Sequence, residues 1–260
     1  MLDLGIAGRR AIVCGSSRGL GRACATSLAR AGVEVVINGI DQARVTEAAE
    51  AIRQETGAKV TAVAADVTTK EGQAELLSVL PEPDILVTNA GGPPFKDFRE
   101  LSRDDMLKGV TWNMVTPIEL IQATIDPMVA RGFGRIVNIT SISVKMPFLG
   151  LDLSSGARAG LTSFLAGVAR SIAHAGVTIN NLMPGLFDTD RYRSGVAANA
   201  RTIGISVEEM AERRRNSVPA RRVGDPAEFG DACAFLCSAR AGYITGQNLL
   251  LDGGLFNSAF

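Results

Sequence analysis

Short apolar runs and helical patterns alternate along this chain from its first residues. Residues 10–14 form an apolar run that ends at Gly15. Residues 20–31 repeat apolar positions with helical spacing and stop at Gly32. The pattern then returns a β-branched run at 33–37, an amphipathic helix at 43–55 closed by Gly57, and a third strand at 59–64. Further strands are predicted at 85–88, 135–139, 177–181 and 249–251, with long helical patterns between them. The strands are continuously apolar rather than alternating, which predicts burial on both faces of a sheet. Strand–helix–strand repetition with short loops predicts an α/β fold, a doubly wound parallel sheet of about seven strands with helices on both faces.

No linker divides residues 1–260, so one domain is expected. Asp225 before Pro226, with Glu228 following, signals a capped helix start, and Ser206 with Glu209 signals another. The polar stretch 186–218 reads as an irregular lid over a site, with one short helix in it.

Composition narrows the function. Charges balance at 27 basic and 27 acidic residues, so no field of one sign recruits nucleic acid or an anionic membrane. No apolar run reaches membrane-spanning length, and the start lacks the pattern of a secretory leader, so a cytoplasmic protein is expected. Cys233 and Cys237 lie one helical turn apart, open to a metal reading. Without a Cys-x-x-Cys pair, Cys14, Cys24, Cys233 and Cys237 read instead as small buried hydrophobes, and no metal site is assigned.

The chemistry starts where the first strand meets the first helix. Gly15-Ser16-Ser17-Arg18-Gly19-Leu20-Gly21 joins them, and backbone amides at such a helix start suit a pyrophosphate that side chains would obstruct. The Gly-x-x-x-Gly-x-Gly spacing resembles that of the short-chain dehydrogenase/reductase family. Asp66-Val67, Asn89-Ala90-Gly91, Asn113, the run Ile136 to Ser141, Pro184-Gly185-Leu186 with Thr189, Thr245-Gly246-Gln247 and Asp252-Gly253-Gly254 follow in the family's order. Within it, the pattern is most similar to 3-oxoacyl-carrier-protein reductases.

The resemblance implies a nicotinamide dinucleotide held by Gly15, Ser17, Arg18, Gly19, Leu20 and Gly21. Asp66 and Val67 would meet the adenine, Asn89, Ala90 and Gly91 match the family's Asn-Ala-Gly cofactor motif, and Pro184, Gly185, Leu186 and Thr189 would meet the nicotinamide end. The second strand ends Ile37-Asn38-Gly39-Ile40-Asp41, with no acid at Gly39 to repel a 2′-phosphate. Arg18 can meet that phosphate, or is a surface cation; the expected cofactor is NADP(H) rather than NAD(H). Resemblance also implies a small-molecule substrate and a homo-oligomer, a dimer or tetramer, with the apolar tail 249–260 buried at the interface.

The family's Tyr-x-x-x-Lys pair is replaced. Arg158-Ala159-Gly160-Leu161 matches Lys-Ala-Gly-Leu, which puts Arg158 in the lysine's place and Ser154 in the tyrosine's. An aliphatic hydroxyl is a far weaker acid than a phenol, and arginine, with a pKa above about 12, does not give up a proton. Arg158 can still hold ribose hydroxyls. Asn113 and Ser141 match the family's catalytic asparagine and serine.

Three substitute donors fit the sequence. Lys145, beyond Ser143 in the pocket loop, could be desolvated beside Arg158 and exchange a proton, or be a solvated cation. Tyr192 could swing in from the lid, or pack within it; the third donor is water held by Ser141 and Ser154. His174, the single histidine, reads as a helix-end residue. The leading expectation is an NADP(H)-dependent carbonyl or enone reductase with a non-standard proton donor. Alternatives are a cofactor-binding sensor or partner protein, and a non-redox lyase or isomerase on the same fold.

Overall fold

A computed structural model describes residues 3–93 and 95–258. Seven strands form one sheet: β1 (Arg10–Val13), β2 (Glu34–Gly39), β3 (Val60–Ala64), β4 (Ile85–Thr88), β5 (Gly134–Ile139), β6 (Val177–Pro184) and β7 (Asn248–Leu251). Their order is β3-β2-β1-β4-β5-β6-β7, and every pairing is parallel. The helices are α1 (Gly19–Arg30), α2 (Gln42–Thr56), α3 (Lys70–Val79), α4 (Arg103–Val110), α5 (Thr116–Ala130), α6 (Asp152–Ile172), α7 (Asp190–Ile203), α8 (Val207–Ser217) and α9 (Pro226–Leu236).

Alternate side chains of each strand point to opposite faces, and the core divides accordingly. Ala11, Val13, Val35, Ile37, Val87 and Val137 pack with α1, α2 and α9 through Leu28, Ile52 and Phe229. Ile12, Leu86, Ile136 and Ile179 pack with α3, α5 and α6 through Leu76, Leu120 and Leu165. Burial on both faces explains the unbroken apolar runs. Strand order reverses between β1 and β4, and the loops leaving their C-terminal ends bound the crevice where such sheets bind ligands.

One rung of the sheet is polar. Thr88 pairs in register with Asn138, Asn138 with Asn181, and Asn181 with Asn248. Thr88 Oγ1 donates to Asn138 Oδ1 at 2.7 Å, Asn138 Nδ2 to Asn181 Oδ1 at 3.2 Å, and Asn181 Nδ2 to Asn248 Oδ1 at 2.8 Å. Buried amides are tolerated because each finds a partner, and the chain ties β4, β5, β6 and β7 together close beneath the crevice.

The stretch 186–218 differs from the irregular lid read in the sequence: α7 and α8 form a helical pair. Both helices are polar over most of their surface, so neither shows a long apolar stripe. They are held by a small cluster of Val196, Ala200 and Met210, with Tyr192, Ile205 and Ala211 against it. Thr189 caps α7, accepting from the Tyr192 amide at 3.3 Å, and Ser206 caps α8, accepting from the Glu209 amide at 3.0 Å. The apolar tail read at 249–260 runs past the described residues at Ala259 and Phe260; Leu249, in edge strand β7, is exposed. Among the described residues, no helix is long and apolar enough to cross a membrane.

Helix α9 packs against α1 at Gly230, where a Cβ would collide with the Ala23 carbonyl and stand 2.7 Å from Ser27 Oγ. Gly230→Ala is therefore expected to cost about 1–3 kcal/mol in urea unfolding. Gly167→Ala, in α6 where a Cβ meets nothing within 4 Å, is expected to stabilise or leave stability unchanged.

Candidate active site

The chain turns from β1 into α1 through Gly15, whose φ of 54° lies in the left-handed region. A Cβ on Gly21 would collide with the Gly15 carbonyl, so only glycine lets the first turn of α1 close onto the loop. Arg18 caps α1 in an extended conformation without a side-chain hydrogen bond to the helix start. The first amides of α1 are therefore without a side-chain cap, as a phosphate site requires.

Neighbouring strands brace this loop. Asn89 Nδ2 donates to the Gly15 carbonyl at 3.0 Å, which joins the end of β4 to the end of β1. Asn38, buried at the end of β2, accepts from the Gly15 amide at 3.3 Å and donates to the Ala65 carbonyl at 2.9 Å. Its backbone carbonyl accepts from the Ser16 amide at 2.7 Å. Sequence reading left Asn38 without a role. The available signal was a polar residue closing a β-branched run, but its partners lie at the ends of β1 and β3.

At the end of β3, where the family resemblance implies an adenine contact, Asp66 Oδ1 accepts from the Thr68 amide at 2.9 Å and from its hydroxyl at 2.7 Å. Val67 beside it is buried, and its carbonyl accepts from Gln73 Nε2 at 3.0 Å. Ser17 Oγ stands 2.9 Å from where a Cβ on Gly39 would be, so loop and β2 meet closely there. Arg18 and Arg44 are both exposed on this side. Arg193 holds the Asp190 carboxyl below its usual range, with smaller help from Arg18 and Arg44.

At the other end, Pro184 closes β6, the Gly185 amide donates to the Leu251 carbonyl at 2.8 Å, and the Leu186 carbonyl accepts from Gly224 at 2.9 Å. The Thr189 methyl lies 3.7 Å from where a Cβ on Gly19 would stand, which brings the start of α7 over the glycine loop. Ala90 and Gly91 continue from Asn89 along the mouth of the crevice.

Asn113 lies on a π-helical turn, Thr111–Val115, between α4 and α5. Its Nδ2 donates to the Gly109 carbonyl at 3.4 Å, while Oδ1 is buried with no protein partner. Such turns recur at functional sites, and an orphaned buried acceptor asks for a donor from water or ligand. The turn packs on α6: Met114 Sδ is 3.0 Å from where a Cβ on Gly160 would stand.

Ser141 follows β5, and its Oγ accepts from the Ser143 amide at 3.1 Å, which leaves its hydroxyl proton to donate. On α6, Arg158 Nε donates to Ser154 Oγ at 3.3 Å, and Nη1 donates to the Ile139 carbonyl at 2.7 Å. Both residues are buried. Burial, and then the charge of Arg191, pull the Arg158 guanidinium down to about 10. Its proton is thus less tightly held than the sequence reading allowed, although the group stays charged at neutral pH.

The other candidate donors fall differently. Lys145 is exposed, with Nζ 5.3 Å from the centre of the Phe256 ring, and is not the desolvated lysine envisaged beside Arg158. Tyr192 packs within the α7–α8 pair, where burial pushes its phenol up and makes it a weaker acid. His174 is exposed in a short turn at the end of α6. The four cysteines are buried free thiols, and burial raises Cys14 to about 12. Arg191 was missed in the sequence: its Nη1 and Nη2 both lie 3.2 Å from where a Cβ on Gly92 would stand, just beyond Asn89-Ala90-Gly91.

Known proteins share this sequence pattern and fold. The sequence profile of a family described as enoyl-(acyl carrier protein) reductase matches residues 15–256. The 3-oxoacyl-[acyl-carrier-protein] reductase FabG of Aquifex aeolicus is 31% identical over 259 residues, covering 98% of this chain and 100% of its own. Among solved structures, L-sorbose reductase from Gluconobacter frateurii, complexed with NADPH and L-sorbose, superposes with a TM-score of 0.93 at 27% identity over 99% of this chain and 100% of its own. YwfH, an NADPH-dependent reductase involved in bacilysin biosynthesis, superposes at 0.90 with 30% identity over 96% of this chain and 99% of its own. With a glycine loop at the reversal of a seven-stranded parallel sheet and relatives matched from end to end, the chain belongs to the short-chain dehydrogenase/reductase family of oxidoreductases.

Proposed function

We propose that this chain is an NADP(H)-dependent reductase of a carbonyl or enone group in a small molecule, and that it works without the family's phenol. The observation that carries the reading is the buried Ser154–Arg158 pair, held at the end of β5 in a sheet whose β1 ends in a glycine loop that a Cβ on Gly21 would fill. The unblocked start of α1 and the orphaned Asn113 Oδ1 both fit a bound dinucleotide. Arg18 and Arg44, with no acid at Gly39, suit a 2′-phosphate. The NADPH named in the two structural relatives supports the same choice.

The reduced nicotinamide, when bound, supplies a hydride. Arg158 presents a fixed positive charge toward the ribose side and orients the Ser154 hydroxyl. Ser141 donates its proton toward the oxygen on which negative charge develops. That oxygen then draws its proton from water held by Ser141 and Ser154; the exposure of Lys145 and the packing of Tyr192 support water over either side chain. Addition to an enone leaves a delocalised enolate that needs less protonation in the transition state than an alkoxide, so enones suit this site better than simple ketones. Asn113 and Ser141 are more than a passive sensor of cofactor requires. The helical pair α7–α8 serves as the lid, and exposed Leu249 in edge strand β7 supports assembly into a dimer or tetramer.

Ser154→Ala and Ser141→Ala are each expected to lower kcat by about ten- to a hundredfold with little change in NADPH affinity, the range for a lost transition-state hydrogen bond. Lys145→Met and Tyr192→Phe are expected to leave kcat within about twofold. A large loss in either variant would return that residue to the role of donor.

The sign of the Arg158 effect follows from its charge. The folded protein holds the guanidinium down to about 10, below arginine's ordinary range, so it is cationic below that pH. NADPH affinity should therefore weaken as pH rises through about 10. In the same window the unfolded chain keeps a proton that the folded one has released, so this group's contribution to stability rises with pH. Arg158→Met should weaken NADPH binding by about tenfold or more at pH 7 and flatten that alkaline limb in calorimetric titrations.

A further inference from the structure

The start of α7 carries more charge than its own ion pairs consume. Arg193 binds both acids of this turn, Asp188 at 2.7 Å and Asp190 at 2.9 Å. Arg191 is two residues away, about 200° around the helix, and so faces the opposite side. That side is the crevice, where its guanidinium lies over Gly92. Among the described residues, no carboxylate stands within ion-pair distance of Arg191.

Arg158 lies within electrostatic reach of it. Its Nε and Nη1 are bonded to Ser154 and Ile139, while Nη2 has no bonded partner among the described residues. Buried Arg158 and exposed Arg191 thus act on one crevice with no acid paired to Arg191 among the described residues, and like charges repel. Of two nearby loop lysines, Lys96 pairs with Asp105 at 2.7 Å, and Lys145 Nζ lies 5.3 Å from the centre of the Phe256 ring. Beside the crevice, the Lys96 amide donates to the Gly150 carbonyl at 3.0 Å and joins two loops that expose Phe95 and Leu149. Arg191 thus stands exposed over Gly92 without an ion-pair partner among the described residues, and the loop that continues from Gly92 carries the exposed Phe95.

We propose that Arg191 determines substrate specificity by holding a carboxylate of the substrate, so that the reductase acts on carbonyl or enone acids that carry an apolar arm. The inference rests on the reductase reading above. Guanidinium and carboxylate match as a two-toothed pair, and the acid would neutralise Arg191 and relieve its repulsion of Arg158. The apolar arm would cover Phe95 and Leu149.

Calorimetry tests this on protein first loaded with NADP+, using benzoylformate and its uncharged methyl ester as probes. Wild type is expected to bind the acid at least about tenfold more tightly than the ester, as for a charge-assisted hydrogen bond. Arg191→Met should bring the two within about twofold of each other while NADP+ affinity changes by less than about twofold, and Arg191→Lys should keep part of the preference. Absence of an acid preference in wild type, including failure of either probe to bind, overturns the inference. So does an Arg191→Met variant that binds NADP+ poorly yet keeps the preference, since the guanidinium would then serve the cofactor's diphosphate. Failure of wild type to load NADP+ at all instead overturns the reductase reading, and the loading step exposes that before any probe is added.

Discussion

The close approach of α1 to the end of β1 is the constraint on which the rest depends. A helix start pressed onto a strand end leaves no room for a side chain at Gly21, and the turn between them needs the left-handed conformation of Gly15. The cradle this makes would be a weak loop by itself. Asn89 from β4 and Asn38 from β2 bond to the Gly15 backbone from either side, so the loop is fixed by the two strands flanking β1. The order of the sheet is therefore built into the geometry of the site.

The same economy holds on the other half of the sheet. The polar rung from Thr88 to Asn248 locks β4 through β7 in register. Above its strand ends stand Ser141, the Ser154–Arg158 pair and the Pro184–Gly185 turn. On the proposed reading, Arg158 and Ser154 stand where the family resemblance expects lysine and tyrosine, which would keep the charge and a hydroxyl while removing the acid. The buried arginine is kept in place by bonds to Ile139 and Ser154, which makes it a fixed electrostatic element rather than a titrating one at neutral pH. The proposed reading follows from this: such a pair would suit chemistry that tolerates late protonation.

Much of this was legible in the sequence because the physics is local there. Strands buried on both faces must be unbroken apolar runs, and the close turn from β1 into α1 needs its glycines. The capping signals at Ser206 and Asp225 also mark true helix starts, the second closed by Glu228 binding back to the Asp225 amide at 2.9 Å. Features made by tertiary register were not legible. Helices α7 and α8 lack a broad apolar stripe because they bury only a small cluster between themselves. Asn38 gains its meaning from strand ends far apart in sequence. Arg191 looked like one more charge in a polar stretch until the helix turned it away from Asp188 and Asp190 and toward the crevice. The exposure of Lys145 likewise depends on where its loop lies, which spacing from Ser143 does not fix.

The central claim is that the Gly15–Gly21 cradle holds the diphosphate of a nicotinamide dinucleotide in a family member that has lost the usual acid. Calorimetric titration of the purified wild type and of Gly21→Ala with NADPH, and separately with NADH, tests it most directly. The account predicts tight NADPH binding, NADH weaker by about tenfold or more, and loss of both in the variant. Binding of neither nucleotide by wild type, or undiminished binding by Gly21→Ala, would contradict it.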